Sequence, residues 1–329
     1  LNKPHHQAVQ HPDEFSLIKR YFQRKAKQRP DVMMGIGDDA AILKIPQGEL
    51  LAAAIDTMVA GVHFPEKTSP FDIGYKALAV NLSDLAAMGA APAWLTLALT
   101  MPQSDSDWLQ AFADGLFLLA NKFDMQLVGG DTTRGPLTIS IQAHGFVKPD
   151  DIIYRHGAKA GDQVYVSGTL GDAGLGLLAV TQQKQLHDHD KNFILQRLNR
   201  PQPRVELGMA LRGIASSAID VSDGLIADLR HILDASQVGA VIHAENLPLS
   251  SALKNNLTNE EAVKLALTSG DDYELCFTIP KSREQEFLSK INSLSVPCTR
   301  IGDIISQPEL QVNGYHGEIS TTGYQHFAK

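Results

Sequence analysis

Hydrophobic positions along the chain alternate between two spacings, and the changes of spacing mark out its elements. AAILKI (40–45) and LLAAAIDTMV (50–59) are apolar runs of strand length. From Ser69 the period changes. In SPFDIGYKALAVNLSDLAAMGA (69–90), Ala77, Asn81, Asp84 and Met88 share one stripe, and Leu78, Leu82 and Leu85 form the next. That spacing predicts a helix with Ser69 as N-cap and Pro70 at its first position. WLTLALTMP (94–102) predicts a strand, and SDSDWLQAFADGLFLLANKF (104–123) a helix opened by acids. MQLVGGDTT (125–133) predicts a strand closed by a Gly-Gly turn, and LTISIQAHGFV (137–147) a further strand. Upstream, Phe15, Ile18 and Phe22 in EFSLIKRYFQRK (14–25) sit at helical spacing.

The pattern resets near KPDD (148–151). HGAKAGDQVYVSG (156–168) reads as turn and strand, LGDAGLGLLAVTQQ (170–183) as turn and helix, and the polar QLHDHDKNF (185–193) as a surface loop. PQPRVELGMALRGIA (201–215) is a helix behind two prolines, and SAIDVSDGLIADLRHILDAS (217–236) is strand, turn and helix. GAVIHAENLPL (239–249) and YELCFTIP (273–280) are strands. Short strands mixed with helices predict an α+β fold rather than a strict βαβ repeat. The expected division is a disordered tail at 1–13, an N-terminal domain at 14–149 and a C-terminal domain at 150–329.

Composition narrows the function classes. The 329 residues have room for two full cores, and 43% of them are hydrophobic. A net charge of −8 argues against a nucleic-acid or anionic-membrane surface. The densest basic run, RYFQRKAKQR (20–29), reads as a solvated helix face. The 2 cysteines, Cys276 and Cys298, form no C-x-x-C pair, which fits a reducing, cytoplasmic setting and speaks against a thiolate zinc site. The first residues, LNKPHHQAVQHPDEF, lack the apolar stretch of a signal peptide. The uncharged stretch 85–104 has the length of a membrane span, but Gly89, Pro92 and Pro102 cut it into helix end, turn and strand.

Aspartates recur in apolar surroundings: MGIGDDAAIL (34–43), AAAIDTM (52–58), NLSDLAAMG (81–89), VGGDTTRG (128–135) and AIDVSDGL (218–225). Asp56 and Asp220 end strands, Asp131 follows one, Asp223 opens a helix, and Asp84 lies mid-helix with Asn81 on the inward stripe. Each alone is an ordinary turn former or N-cap. Together they form a set of inward carboxylates that cannot stay ionised uncompensated, and a hard divalent cation with oxygen ligands is the simplest compensation. The turns GIGDD, GGDTTRG and SGTLGDAGLG are candidate phosphate cradles. None matches G-x-x-x-x-G-K-[ST], which excludes a P-loop.

The set GIGDDAA, IDTMVAGVHF, KALAVNLSDLAAMGA, WLTLAL, GGDTTRG, AIDVSDGL, SGDDYEL and GYQHF, in this order, resembles the thiamine-monophosphate kinase family from about residue 14 to 328. That family is grouped with the aminoimidazole ribonucleotide and selenophosphate synthetases. The resemblance implies a two-domain α+β fold, with N-terminal strands forming a barrel across a homodimer. It implies transfer of phosphate from ATP to thiamine monophosphate with several Mg²⁺ ions, and leaves a place for a monovalent cation. The implied metal ligands are Asp39, Asp56, Asp84, Asp131, Asp220 and Asp223, with Asp56, Asp131 and Asp223 central to catalysis. The implied nucleotide contacts are Gly130, Asp131, Arg155 and Ser222. His63, Asp271 and Tyr324 are the implied substrate pocket.

The chain departs from the family pattern at Ala54 and Ile55, where hydroxyl residues are common, and at Asp271, where Glu is common. Apart from the resemblance, His63 also reads as a surface histidine, Tyr324 as a packing aromatic, and Arg155 as a partner of Asp150 or Asp151. Rival functions are a selenophosphate-synthetase-like enzyme, an amidine-forming ligase and a non-catalytic sensor of thiamine phosphates. The first is disfavoured because no cysteine precedes Cys276.

Overall fold

A computed structural model describes residues 14–23, 28–318 and 323. The expected 1–13 tail and Tyr324 lie outside the described residues. The chain opens with a helical turn, α1 (Glu14–Leu17), that continues as a π-helix over Ile18–Gln23. A small antiparallel ribbon, β1 (Val32–Met34) with β2 (Ile42–Leu43), follows.

The N-terminal sheet contains β3 (Leu50–Val59), β4 (Ala91–Met101), β5 (Gln126–Arg134) and β6 (Thr138–Val147), in the order β3-β6-β4-β5. Among the described residues it is an open sheet and does not close into a barrel within one chain. Helices α2 (Pro70–Ala87) and α3 (Ser106–Lys122) cover one face. The cap of α2 is as the sequence predicts. Ser69 Oγ accepts the Asp72 amide at 3.1 Å, and Pro70 occupies the first turn, where its missing N–H has no helical partner. α2 and α3 cross through reciprocal glycines. A Cβ at Gly74 would lie 2.1 Å from Phe112 O, and one at Gly115 would lie 1.9 Å from Phe71 O. Only glycine permits backbones this close.

The C-terminal sheet contains β7 (Gln163–Ser167), β8 (Ser217–Asp220), β9 (Gly239–His243), β10 (Leu275–Ile279), β11 (Cys298–Ile305) and β12 (Leu310–Asn313), ordered β12-β9-β11-β7-β10-β8. All pairs are antiparallel except β9/β12. Its helices are α4 (Asp172–Val180), α5 (Asp188–Asn199), α6 (Val205–Ala210), α7 (Leu225–Ser236), α8 (Ser251–Asn256), α9 (Asn259–Thr268) and α10 (Glu284–Ile291). The expected loop at 185–193 is therefore corrected: α5 starts inside it, with Asp188 and Asp190 in a first turn that favours acids.

α2 joins the two halves. Its residues belong to a core cluster that also takes in Tyr165, Val205, Leu207 and Phe277. A Cβ at Gly208 of α6 would lie 2.0 Å from Ala86 O of α2. This close seat of α2 against the C-terminal half brings its Asp84 to the end of β8. Among the described residues, no helix is long and apolar enough to cross a membrane, and the stretch 85–104 forms the end of α2, a turn at Gly89 and the whole of β4.

Candidate active site

The register of the N-terminal sheet sorts the expected carboxylates. Asp56 pairs with Ile141, which pairs with Leu97, which pairs with Gly130. Leu97 and Ile141 are buried, so Asp56 is on the helix-covered face. The next row is Thr57, Ser140, Ala98 and Asp131. The Thr57 and Ser140 hydroxyls meet at 2.7 Å on the open face, and Asp131 shares that face.

On the inner face, Asp56, Asp84 and Asp220 come together. Asp56 and Asp84 are within hydrogen-bond reach of each other, which two ionised carboxylates cannot sustain without a proton or cation between them. Burial raises the Asp56 pKa, against the effects of Asp84 and nearby His63. Asp84 is pushed up to about 8, first by burial, then by the charges of Asp220 and Asp56, with Arg155 opposing. Asp220 is pushed up to about 6 by burial, against the adjacent Ser83 hydroxyl, while Asp56 adds repulsion and Arg155 relieves it. The exposed Arg155 thus acts electrostatically on this cluster; no ion pair with Asp150 or Asp151 forms among the described residues. His63 Nδ1 accepts the Val59 amide at 3.0 Å, so the ring is held with its proton on Nε2.

Ser222 and Asp223 occupy the turn between β8 and α7. The amides of Ser222, Asp223 and Gly224 all donate to Asp228 Oδ2, at 2.9, 3.0 and 3.1 Å. Asp228 is 3% exposed, and burial followed by repulsion from Asp220 and Asp223 brings it up to about 7 despite these donors. The Asp271 amide donates to Ser222 O at 2.9 Å. Asp271 (φ 69°) and Tyr273 (φ 49°) both hold left-handed backbone, a conformation costing of order 1–3 kcal/mol per non-glycine residue. Lys76 of α2, 4% exposed, pairs with Asp271 at 3.0 Å. The Tyr273 hydroxyl also bonds Asp271. Burial and the charges of Asp271, Asp56 and Asp220 hold that phenol well above its ordinary pKa. Gly323, next to Tyr324, lies against this turn; a Cβ there would come 2.7 Å from the Asp223 Cβ.

A separate cavity of about 580 Å³ opens at the edge strand β5. Asp38, Asp39, Gly130 and Asp131 line it, under the segment between β1 and β2. Glycine is required at 130, since a Cβ would lie 1.9 Å from Leu97 O. Asp39 and Asp131 thus share one site, while Asp56, Asp84 and Asp220 share another on the inner face.

One expected phosphate cradle does not survive. In the loop 167–174, Asp272 takes the amides of Gly171 (2.6 Å) and Ala173 (3.2 Å), while Gly168 and Leu170 donate to Pro297 O and Pro248 O. Buried Asp172, Asp272 and Glu274 flank this loop, with Arg197 and Arg204 bound to Glu274 at 2.9 and 2.5 Å. The amides of Gly168, Leu170, Gly171 and Ala173 are therefore already bonded within the protein.

The inner donor set has the chemistry that hard divalent cations take, although only Asp56 and Asp84 are in direct reach of each other and oxygens of all three carboxylates do not lie within 4.8 Å of one another. It is made of oxygens, its carboxyls repel one another, and buried Asn81 Oδ1, one turn before Asp84, has no protein partner. Lys76, Tyr273 and Asp228 were missed as individual residues. A lone basic residue in helix α2 was a visible signal for Lys76, and Tyr273 lies inside the quoted SGDDYEL; Asp228 carried no signal in the sequence.

Comparison with known proteins shows the family. Residues 37–147 match the AIR synthase related protein N-terminal domain, and residues 159–314 match the AIR synthase related protein C-terminal domain. Thiamine-monophosphate kinase of Escherichia coli K12 is 51% identical over 319 residues, covering 96% of this chain and 98% of that protein. The Haemophilus influenzae protein of the same name is 47% identical over 320 residues, covering 95% and 98%. A crystal structure of thiamine-monophosphate kinase from Stenotrophomonas maltophilia superposes with a TM-score of 0.86 at 48% identity, covering 92% of this chain and 98% of that one. A structure of AaThiL complexed with AMPPCP and TMP superposes at 0.76 with 32% identity, covering 89% and 92%. With two domain matches in order and full-length relatives at this identity, the chain belongs to the thiamine-monophosphate kinase family of AIR synthase related proteins.

Proposed function

We propose that the chain transfers the γ-phosphoryl group of ATP to thiamine monophosphate, giving thiamine diphosphate and ADP in the cytoplasm. The observation that carries this is the junction of Asp56, Asp84 and Asp220 across the two halves, in a chain about half identical to named thiamine-monophosphate kinases. Mg²⁺ would be held by Asp56, Asp84, Asp220 and Asp223, and at the β5 edge by Asp39 and Asp131; when bound it supplies the positive charge that lets an anion approach a triphosphate.

The acceptor is a phosphate monoester, whose second pKa is about 6, so it arrives as a nucleophile and needs no general base. The protein's task is orientation and charge neutralisation. Gly130 lines the β5 cavity, where its backbone would contact a nucleotide. Arg155 adds an exposed cation beside the carboxylates. The Ser222 amide is committed to Asp228, which leaves its hydroxyl for the nucleotide. His63 offers an Nε2–H donor to the acceptor, and Asp271, fixed by Lys76 and Tyr273, offers an anion to the cationic thiazolium ring.

The domain division at 149/150 and a homodimer are part of the same reading. The open face of the N-terminal sheet exposes Leu51 and Ile55, the latter 64% exposed, and pairing two such faces would complete a shared barrel. The test is turnover of Asp84→Asn and Asp220→Asn. Each is expected to lower kcat by roughly 10²–10³-fold, the scale of removing one group that stabilises transition-state charge. Wild-type Mg²⁺-dependent rates in both folded variants would refute the assignment.

A further inference from the structure

Away from this site, the start of α5 gathers a different donor set. His187 is the N-cap residue, and His189 and Asp190 lie in the first turn. One ligand atom from each of the three lies within 4.8 Å of the other two. His189 Nε2 is 3.2 Å from Asp190 Oδ2, and the two imidazole centroids are 5.6 Å apart. The histidines are exposed, whereas Asp190 is 7% exposed, and among the described residues no Lys or Arg pairs with it.

α8 holds this arrangement in place. Asn256 Nδ2 donates to Asp190 Oδ2 at 2.8 Å, and Asn255 Nδ2 does so at 3.3 Å. Asn256 Oδ1 accepts the His187 amide at 2.8 Å. One asparagine therefore fixes both ends of the cluster, as outer partners commonly orient metal ligands. We infer that His187, His189 and Asp190 bind one divalent transition-metal ion of the zinc, nickel or copper class.

Two imidazoles and a carboxylate form a borderline nitrogen-rich set, which selects these ions over Mg²⁺. Ligands at tetrahedral zinc stand about 3.4 Å apart, given bonds of roughly 2.0–2.1 Å; exposed histidine side chains can close the remaining gap by rotation. The helix N-terminus disfavours a cation, and Asp188 and Asp190 in the first turn oppose that effect. All three ligands belong to the start of α5, so the bound ion would fix that first turn, which Asn255 and Asn256 of α8 already hold. Further along α5, Arg197 pairs with Glu274 and Arg200 pairs with Asp72 of α2.

The test is calorimetric titration of the full chain with Zn²⁺ in excess Mg²⁺, which occupies the carboxylate site. The comparison is with a His187→Ala/His189→Ala double variant, whose exposed positions leave kinase activity unchanged. One site per chain is expected in the wild type, at least tenfold weaker in the double variant. Imidazole ¹⁵N resonances of His187 and His189 should shift with Zn²⁺. Equal stoichiometry and affinity in both proteins, or unshifted resonances, would overturn the inference.

Discussion

Replacing Asp228 separates stability from turnover. Its carboxylate accepts three consecutive amides of the Ser222–Gly224 turn, yet stands at about 7 in place of its ordinary 3.8. At about 1.4 kcal/mol per pH unit, an ionised Asp228 destabilises the metal-free fold by up to roughly 4 kcal/mol. Because the folded value is raised, this penalty is absent below about pH 4, grows as pH rises, and is complete above about pH 7. Asp228→Asn removes the charge and keeps an acceptor oxygen. In Mg²⁺-free buffer at pH 8 it should raise the unfolding free energy by about 1–3 kcal/mol, an advantage that vanishes near pH 4. Neutral hydrogen bonds are about half as strong as charge-assisted ones, so the turn loosens and kcat should fall roughly tenfold. Asp228→Ala leaves the amides unpaired, at about 1–3 kcal/mol for each one left buried, and should lose both stability and rate. Urea denaturation and steady-state kinetics on the three proteins give both quantities. An Asn variant no more stable than wild type at pH 8, or an Ala variant with wild-type kcat, would refute this reasoning.

Two further outcomes are expected. Without Mg²⁺ the protein should melt higher at pH 5 than at pH 8.5, because Asp84, Asp220 and Asp228 have raised folded values of about 8, 6 and 7, and stability is lost as pH rises through them; Mg²⁺ should flatten the slope, and a metal-free melting temperature that rises with pH would contradict this. ATP chiral at the γ-phosphorus should give thiamine diphosphate with inverted configuration, since an anionic acceptor needs no covalent relay and the described residues of the site show no nucleophile–base pair; net retention would show a phospho-enzyme.

The layout of elements was readable because local chemistry decides it. Ser69 and Pro70 open α2 whatever surrounds them, and β3, β4 and β6 follow their apolar runs. The polar stretch 185–193 misled because its acids belong to a helix start rather than a loop. The inward direction of Asp84 was also legible, from its stripe on α2. Which carboxylates meet was not, because the contact between Asp84 and Asp220 depends on how α2 sits against β8. The separation of Asp131 from Asp56 depends on a single step of strand register. The glycine loop at 167–174 resembled a phosphate cradle until Asp272, a hundred residues away, was found to occupy its amides. Lys76 acts through Asp271, a partner distant in sequence that no local pattern records, whereas Asp228 acts on the amides of the Ser222–Gly224 turn just upstream of it.

We propose that the inner carboxylates form the metal centre for phosphoryl transfer. This is tested most directly by anomalous diffraction from crystals grown with Mn²⁺, a non-hydrolysable ATP analogue and thiamine monophosphate. Anomalous peaks are expected within about 2.0–2.4 Å of Asp56, Asp84 and Asp220 oxygens, the range of hard-cation bonds, lying between the two phosphate chains. A fully occupied ternary complex with no metal on these three residues would contradict the account.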